Sequence, residues 1–276
     1  METYTSQPQQ KVVQTKTFSK AQGSMLTKSL LISGICFILV CAASIGWGIM
    51  FANLYNDMSW QTWDLVYSLY FVALFVIIAS MILSMVWQKK IKTAGIGLTA
   101  MVFIIYILGQ SLGFGMVFGL IIGEVGYDDS TQGMTAIAQL GLIFGVTGIL
   151  FALMAFVGSI MNNKVAMTMK KFMMVGMMIV FGMMLFISMM WLFSALFWMP
   201  SYTSANWFYW LIILLMAPLM LCYVAYDIYQ IKKMDTFNTL QGKEKMNITL
   251  MFAFKLLVDL VGLMWIVLAI FMRVRR

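Results

Sequence analysis

Two aspartates stand where an otherwise apolar chain has least use for them. Asp227 falls near the end of one long apolar segment, within Tyr226-Asp227-Ile228-Tyr229-Gln230-Ile231-Lys232-Lys233, and Asp259 falls well inside the next. An ionised aspartate near a bilayer centre costs roughly 2.5–3.5 kcal/mol on insertion scales, so such a residue reads as functional and calls for a partner. The partners on offer are each other and a lysine. Lys255 lies four residues before Asp259 on the same helical face. Lys89 closes an earlier apolar segment on the side of the membrane where the Asp227 segment also ends, and can reach that level. Two carboxylates facing one another in a dry interior cannot both ionise cheaply, so they titrate as a unit and form a proton-sensitive latch without any histidine. A carboxylate pair also suits a cation path, since it replaces part of the ion's hydration shell. The plainer alternative is an Asp259–Lys255 ion pair with no gating role, and an Asp227 close enough to the interface to be hydrated.

Other chemistry is thinly supported. The chain has no histidine, and its three cysteines, Cys36, Cys41 and Cys222, lie inside apolar segments with no CxxC spacing. A zinc site or a histidine-based dyad is therefore excluded, and disulfides are not expected. Methionine is abundant at 29, with Met173, Met174, Met177, Met178, Met183 and Met184 crowded together. Thioethers could carry Cu(I), but without cysteine or histidine beside them they read as filler of packing and lipid-facing surfaces. Lys255 with Ser188 is a conceivable serine-lysine dyad, yet no motif supports it, and neither aspartate has the glycine-rich sequence of an aspartyl protease beside it. No enzyme, cofactor or resident metal is expected. Glu124, Asp128 and Asp129 could hold a cation at an outer mouth, or simply form a solvated loop.

The elements that must position these residues are membrane helices. The 276 residues are 62% hydrophobic and 10% charged, with a mean hydropathy of +0.92, which places the chain among polytopic helical membrane proteins. Seven runs are long enough to cross a bilayer, covering approximately 30–52, 65–87, 94–122, 134–160, 172–199, 207–230 and 248–272. The reading is an all-α, seven-transmembrane-helix bundle over residues 29–276, preceded by a disordered cytoplasmic tail at residues 1–28. Lys89, Lys90 and Lys92 follow the second run, Lys164, Lys170 and Lys171 the fourth, and Lys232, Lys233, Lys243 and Lys245 the sixth, while Asp57, Asp64 and Glu124 fall between. The positive-inside rule then puts the N-terminus and these lysines on the cytoplasmic side of a cell membrane, and the +8 net charge calls for no nucleic acid. Trp60, Trp63, Trp198, Tyr202, Trp207, Tyr209 and Trp210 fit an interfacial belt on the other side. The terminal Arg273-Val274-Arg275-Arg276 disagrees with seven crossings: either a short tail is overruled, or the last segment re-enters. Gly115, Gly119 and Gly123, then Gly141 and Gly145, allow close helix approach. Pro218 should kink the sixth run and could serve as a hinge before Asp227.

On the sixth run Tyr223, Tyr226, Asp227 and Gln230 share one helical face, and on the seventh Lys255, Asp259, Gly262 and Ile266 do so. Tyr226-Asp227 with Gln230-Ile231-Lys232, followed about thirty residues later by Asp259 in an apolar span, resembles the Bax inhibitor motif family of membrane proteins. The likeness is strongest over 207–272 and weaker at Trp87-Gln88-Lys89-Lys90 through Gly95. The resemblance implies a seven-helix bundle with the last helix central and a slow, pH-dependent calcium leak. It implies that Asp227 and Asp259 share a proton on the cytoplasmic side, and that Lys89 latches to Asp227. Lysine stands at Lys89 where the family has arginine, a point charge in place of a bidentate clamp. Lys255 stands where the family usually has an uncharged residue, and would neutralise Asp259. Tyr226 and Gln230 would modulate the pair. The partners implied are membrane lipids and permeant cations, calcium above all. A different class of function, a membrane interaction protein regulating a protease or stress pathway through other helices, needs no ion flux.

Overall fold

Inside hydrocarbon a backbone must satisfy its own hydrogen bonds, so apolar runs of this length fold as helices. The computed structural model describes residues 18–56, 68, 71–72, 75–76, 78–79, 82–83, 86–87, 95–125, 130–197, 202–237 and 243–274, with some side chains at helix ends left out. These residues form six long helices: α1 (Phe18–Asn56), α2 (Ile96–Val125), α3 (Ser130–Ile160), α4 (Asn163–Phe197), α5 (Tyr202–Phe237) and α6 (Lys243–Val274). All six are long and apolar enough to cross a membrane, as befits a multi-pass membrane protein. The expected second span, 65–87, lies largely outside the described residues, so six helices stand against the seven expected.

Four helix ends run further into basic stretches than the sequence reading gives: the starts of α1, α4 and α6 and the end of α5. α1 starts at Phe18, inside the stretch expected as a tail, and Met25 is buried against Ile228, Ile231, Phe252 and Leu256. α4 starts at Asn163 instead of 172, leaving only Met161 and Asn162 between α3 and α4. Asn162 caps it, its side-chain Oδ1 accepting from the Val165 amide at 3.0 Å. Lys164, Lys170, Lys171, Lys232 and Lys233 therefore ride on helices and not on loops. A lysine stem is as good a helix former as glutamate and can lie along apolar surface while its ammonium reaches water, so a positive charge does not end a helix here.

Helix association in lipid depends on close packing, because the hydrocarbon around the bundle is as apolar as leucine. α1 and α2 meet through Gly115 and Gly119. A Cβ on Gly115 would collide with that of Trp47, and one on Gly119 with that of Phe51, each also 3.2 Å from a carbonyl oxygen of α1. Gly141 and Gly145 do not share this role; open space surrounds the position of their missing Cβ. α6 packs against α1, α2, α3 and α5 and is buried on nearly all sides, with Ala253, Phe254, Leu256, Leu257 and Met264 fully enclosed. It is one unbroken helix from Lys243 to Val274, with no turn for a re-entrant path. α3 and α4 instead turn Leu142, Ile149, Phe156, Met167, Met178 and Phe181 outward. Of the crowded methionines, Met173 is buried while Met174, Met177, Met178 and Met184 face out.

Pro218 leaves the Leu214 carbonyl of α5 without its helical donor. The residues that follow are seated in notches: Leu219 against Gly176 of α4, Met220 against Gly262 of α6, and Ala225 with Ile228 against Gly158 of α3. A side chain at Gly158 would meet the Ala225 backbone and push α5 away, while at Gly176 and Gly262 it would displace the ends of the Leu219 and Met220 side chains. The stretch leading to Asp227 is thereby held on three sides.

Candidate functional site

On α5, Val224, Ile228 and Ile231 repeat at helical spacing and are fully buried, and Asp227 sits in the middle of that stripe at 1% exposure. On α6, Leu256, Leu260 and Leu263 make the matching stripe, and Asp259, at 7%, lies within it. The stripes meet where Ile228 and Ile231 pack with Phe252 and Leu256. The carboxyl groups of Asp227 and Asp259 come within hydrogen-bonding range of each other. One oxygen of each, Oδ2 in both cases, is buried with no donor among the described residues. A contact between two carboxyl groups in a dry interior is favourable only where at least one of them is protonated.

The cation is Lys255, but its partner differs from the one expected. Its Nζ donates to Asp227 Oδ1 at 2.5 Å, across the α5–α6 seam, and not to Asp259 on its own helix. The physical reason lies in helix direction. Side chains lean toward the N-terminus, so a lysine four residues before an aspartate points away from it, the weaker order of an i,i+4 pair. Lys255 is 38% exposed along its side chain, so the buried carboxylate is compensated by a charge reaching in from the edge of the bundle. Two carboxylates beside one ammonium carry a net charge of −1, and a single proton held between the carboxyls would bring the triad to the neutrality that a low-dielectric interior tolerates best.

An aromatic cluster lies on the α2-facing side of α6. Trp87, Phe103 and Tyr106 each set an edge against Phe254, the residue before Lys255, with the Trp87 and Tyr106 centroids both 5.1 Å from it. Trp87 Nε1 donates to Thr99 Oγ1 at 3.2 Å, which fixes this ring to the start of α2. Tyr106 lies within electrostatic range of Asp259. Lys89, the expected latch, follows Trp87 by two residues and lies outside the described residues, as do Asp128, Asp129 and the side chain of Glu124.

Tyr226 and Gln230 lie to the α4 side of the pair. Adjacent residues on a helix are turned by about 100°, so Tyr226 faces α4 while Asp227 faces α6. Tyr226, Tyr229 and Gln230 line a separate groove against the first turns of α4, where the Tyr229 hydroxyl donates to Asn163 Oδ1 at 2.8 Å.

Sequence reasoning missed Gln110. It lies in the middle of α2 at 1% exposure, its Oε1 accepting from Trp265 Nε1 at 3.1 Å and its Nε2 buried without a partner among the described residues. The ring of Trp265 stacks on Phe114 at 4.1 Å. The signal was available: an amide inside an apolar span is as conspicuous as an aspartate. With Asp227, Lys255, Asp259 and Tyr106 it extends a polar seam along α6 toward the opposite end of the bundle. Compared with known proteins, the chain matches no family model and no curated protein.

Proposed function

We propose that this protein is a pH-sensitive cation leak channel of the cell membrane, with its N-terminus on the cytoplasmic side, calcium as its main ion and a relationship to the Bax inhibitor motif family. The observation that carries this reading is the meeting of Asp227 and Asp259 from adjacent helices, each with a buried oxygen that lacks a donor. No cluster of three or more acidic, histidine or cysteine ligands occurs among the described residues. Calcium prefers six to eight oxygens, so a two-carboxylate constriction completed by water holds the ion weakly and lets it leave.

In the closed state one proton is shared by the carboxyls and Lys255 holds Asp227. Acid neutralises Asp227 and releases the ammonium. Alkali removes the shared proton and sets two carboxylates against each other. Either change breaks the neutral triad and loosens the α5–α6 seam. Calcium flux into liposomes containing the purified protein alone is the direct test. Asp227→Asn and Asp259→Asn should each change the flux and flatten its pH dependence. A protein that works only by binding other helices would carry no flux in such liposomes at any pH.

A further inference from the structure

A second site lies outside the carboxylate seam. Between the first turns of α4 and the last turns of α5 is a groove of about 470 Å³. Lys170 and Lys233 line it from the two helices, together with Tyr226, Gln230, Met167 and Met234. Neither of the two lysines is paired with a carboxylate among the described residues. The neighbouring Lys232 is already engaged, its Nζ donating to the Ser159 carbonyl at 2.5 Å. From Ile160 to Met234 the sequence holds Lys164, Lys170, Lys171, Lys232 and Lys233 against a single acid, Asp227, which is buried and bound to Lys255; Asp235 is the next acid along the chain.

Two ammonium groups with hydroxyl and amide donors beside them are the complement of an anion with several oxygens. The rim is equally informative. Met167 is 62% and Met234 45% exposed, and the exposed Met174, two turns on from Met167, continues this apolar surface along α4. A soluble anion has no use for such an edge, whereas an acyl chain does. The geometry points to a binding site for an anionic phospholipid, its phosphate on Lys170 and Lys233 and its chains along the methionine face. Basic pockets between helices at the level of the headgroups recognise acidic lipids by this combination. The site does not depend on the leak reading, since no groove residue belongs to the carboxylate pair.

The test is native mass spectrometry of the full-length protein in mild detergent, titrated with phosphatidylglycerol, with phosphatidylcholine of the same chains, and with inorganic phosphate as competitor. Phosphatidylglycerol should bind in preference to phosphatidylcholine and should resist millimolar inorganic phosphate. Its affinity should fall about fivefold in Lys170→Gln or Lys233→Gln and about twenty-fivefold in the double variant. Lys170→Arg/Lys233→Arg should keep it, as should Lys28→Gln/Lys245→Gln on another face, which removes the same net charge. Equal binding of the two lipids, unchanged binding by the double glutamine variant, equal loss in the Lys28/Lys245 control, or displacement by inorganic phosphate would each overturn the assignment. The arginine variant guards against misfolding, because it keeps the charge at the same positions.

Discussion

Lys255 gives its hydrogen bond to Asp227, one helix away, and leaves Asp259, one turn along its own helix, to the other carboxyl. The cation that balances the buried acids therefore belongs to the same helix as one of them, and the seam carries its own counter-charge. Removing it should expose that dependence. Breaking a buried pair by deleting one partner costs roughly 3–5 kcal/mol, less where one member is partly exposed, as Lys255 is. Lys255→Met should lower the melting temperature in detergent, and Asp227→Asn should restore part of the loss when added to it. A double variant as unstable as the sum of its singles would show that the two side chains do not interact.

The pH response follows from the charge count. With one shared proton the triad is neutral, so the leak should be smallest at an intermediate pH and rise on both sides. The Lys255–Asp227 bond stabilises the closed seam only while Asp227 is ionised, and that contribution disappears as the pH falls and the carboxylate takes a proton. Lys255→Met should therefore abolish the acid limb and steepen the alkaline one, since no cation then offsets two carboxylates. Asp259→Asn should remove the alkaline limb. Flux that rises on one side only, in both the parent and the Lys255→Met protein, would contradict the neutral-triad scheme.

How far the sequence reaches is visible in these residues. Asp227 and Asp259 were legible because a carboxylate inside an apolar run is expensive, and cost alone marks the position. The partner of Lys255 was not legible, because helical periodicity ranks neighbours on one helix and says nothing about which other helix lies alongside. Tyr226 and Gln230 were grouped with Asp227 because three or four residues make a face, yet α5 is touched from several sides and that face divides between α4 and α6. Helix ends were set too short at four lysine-rich places, the starts of α1, α4 and α6 and the end of α5, because a lysine does not end a helix. The glycines show the same limit: Gly115 and Gly119 are notches while Gly141 and Gly145 face open space, a difference that spacing does not encode.

That difference yields a paired prediction. Gly119→Ala and Gly158→Ala each force a methyl group into a neighbouring helix, and overpacking of this kind costs typically about 1–3 kcal/mol. Gly145→Ala meets nothing and exchanges a poor helix former for the best one, a change of up to about 1 kcal/mol in the stabilising direction. Thermal unfolding in detergent should rank them with Gly145→Ala at or above the parent and the other two below it. Gly158→Ala should also alter the leak, since its notch seats Ala225 and Ile228 on either side of Asp227.

Gln110 separates a structural seam from a conducting one. Its Oε1 is held by Trp265, while its Nε2 is buried without a partner among the described residues. Trp265→Phe strands the acceptor as well, and should destabilise the protein by about 1–3 kcal/mol, or nearer 0.6 kcal/mol if the amide finds another partner within the membrane. Gln110→Leu removes the amide altogether, so the loss of one hydrogen bond is offset by the loss of an unsatisfied donor, and stability should change little. If the polar seam from Asp227 to Gln110 is the path of the ion, however, a leucine there closes it with an apolar plug. Calcium flux in liposomes should then drop severalfold in Gln110→Leu while the melting temperature stays near that of the parent. Full flux in that variant would confine the path to the end of the bundle that holds Asp227 and Asp259, and leave Gln110 as a clamp between α2 and α6.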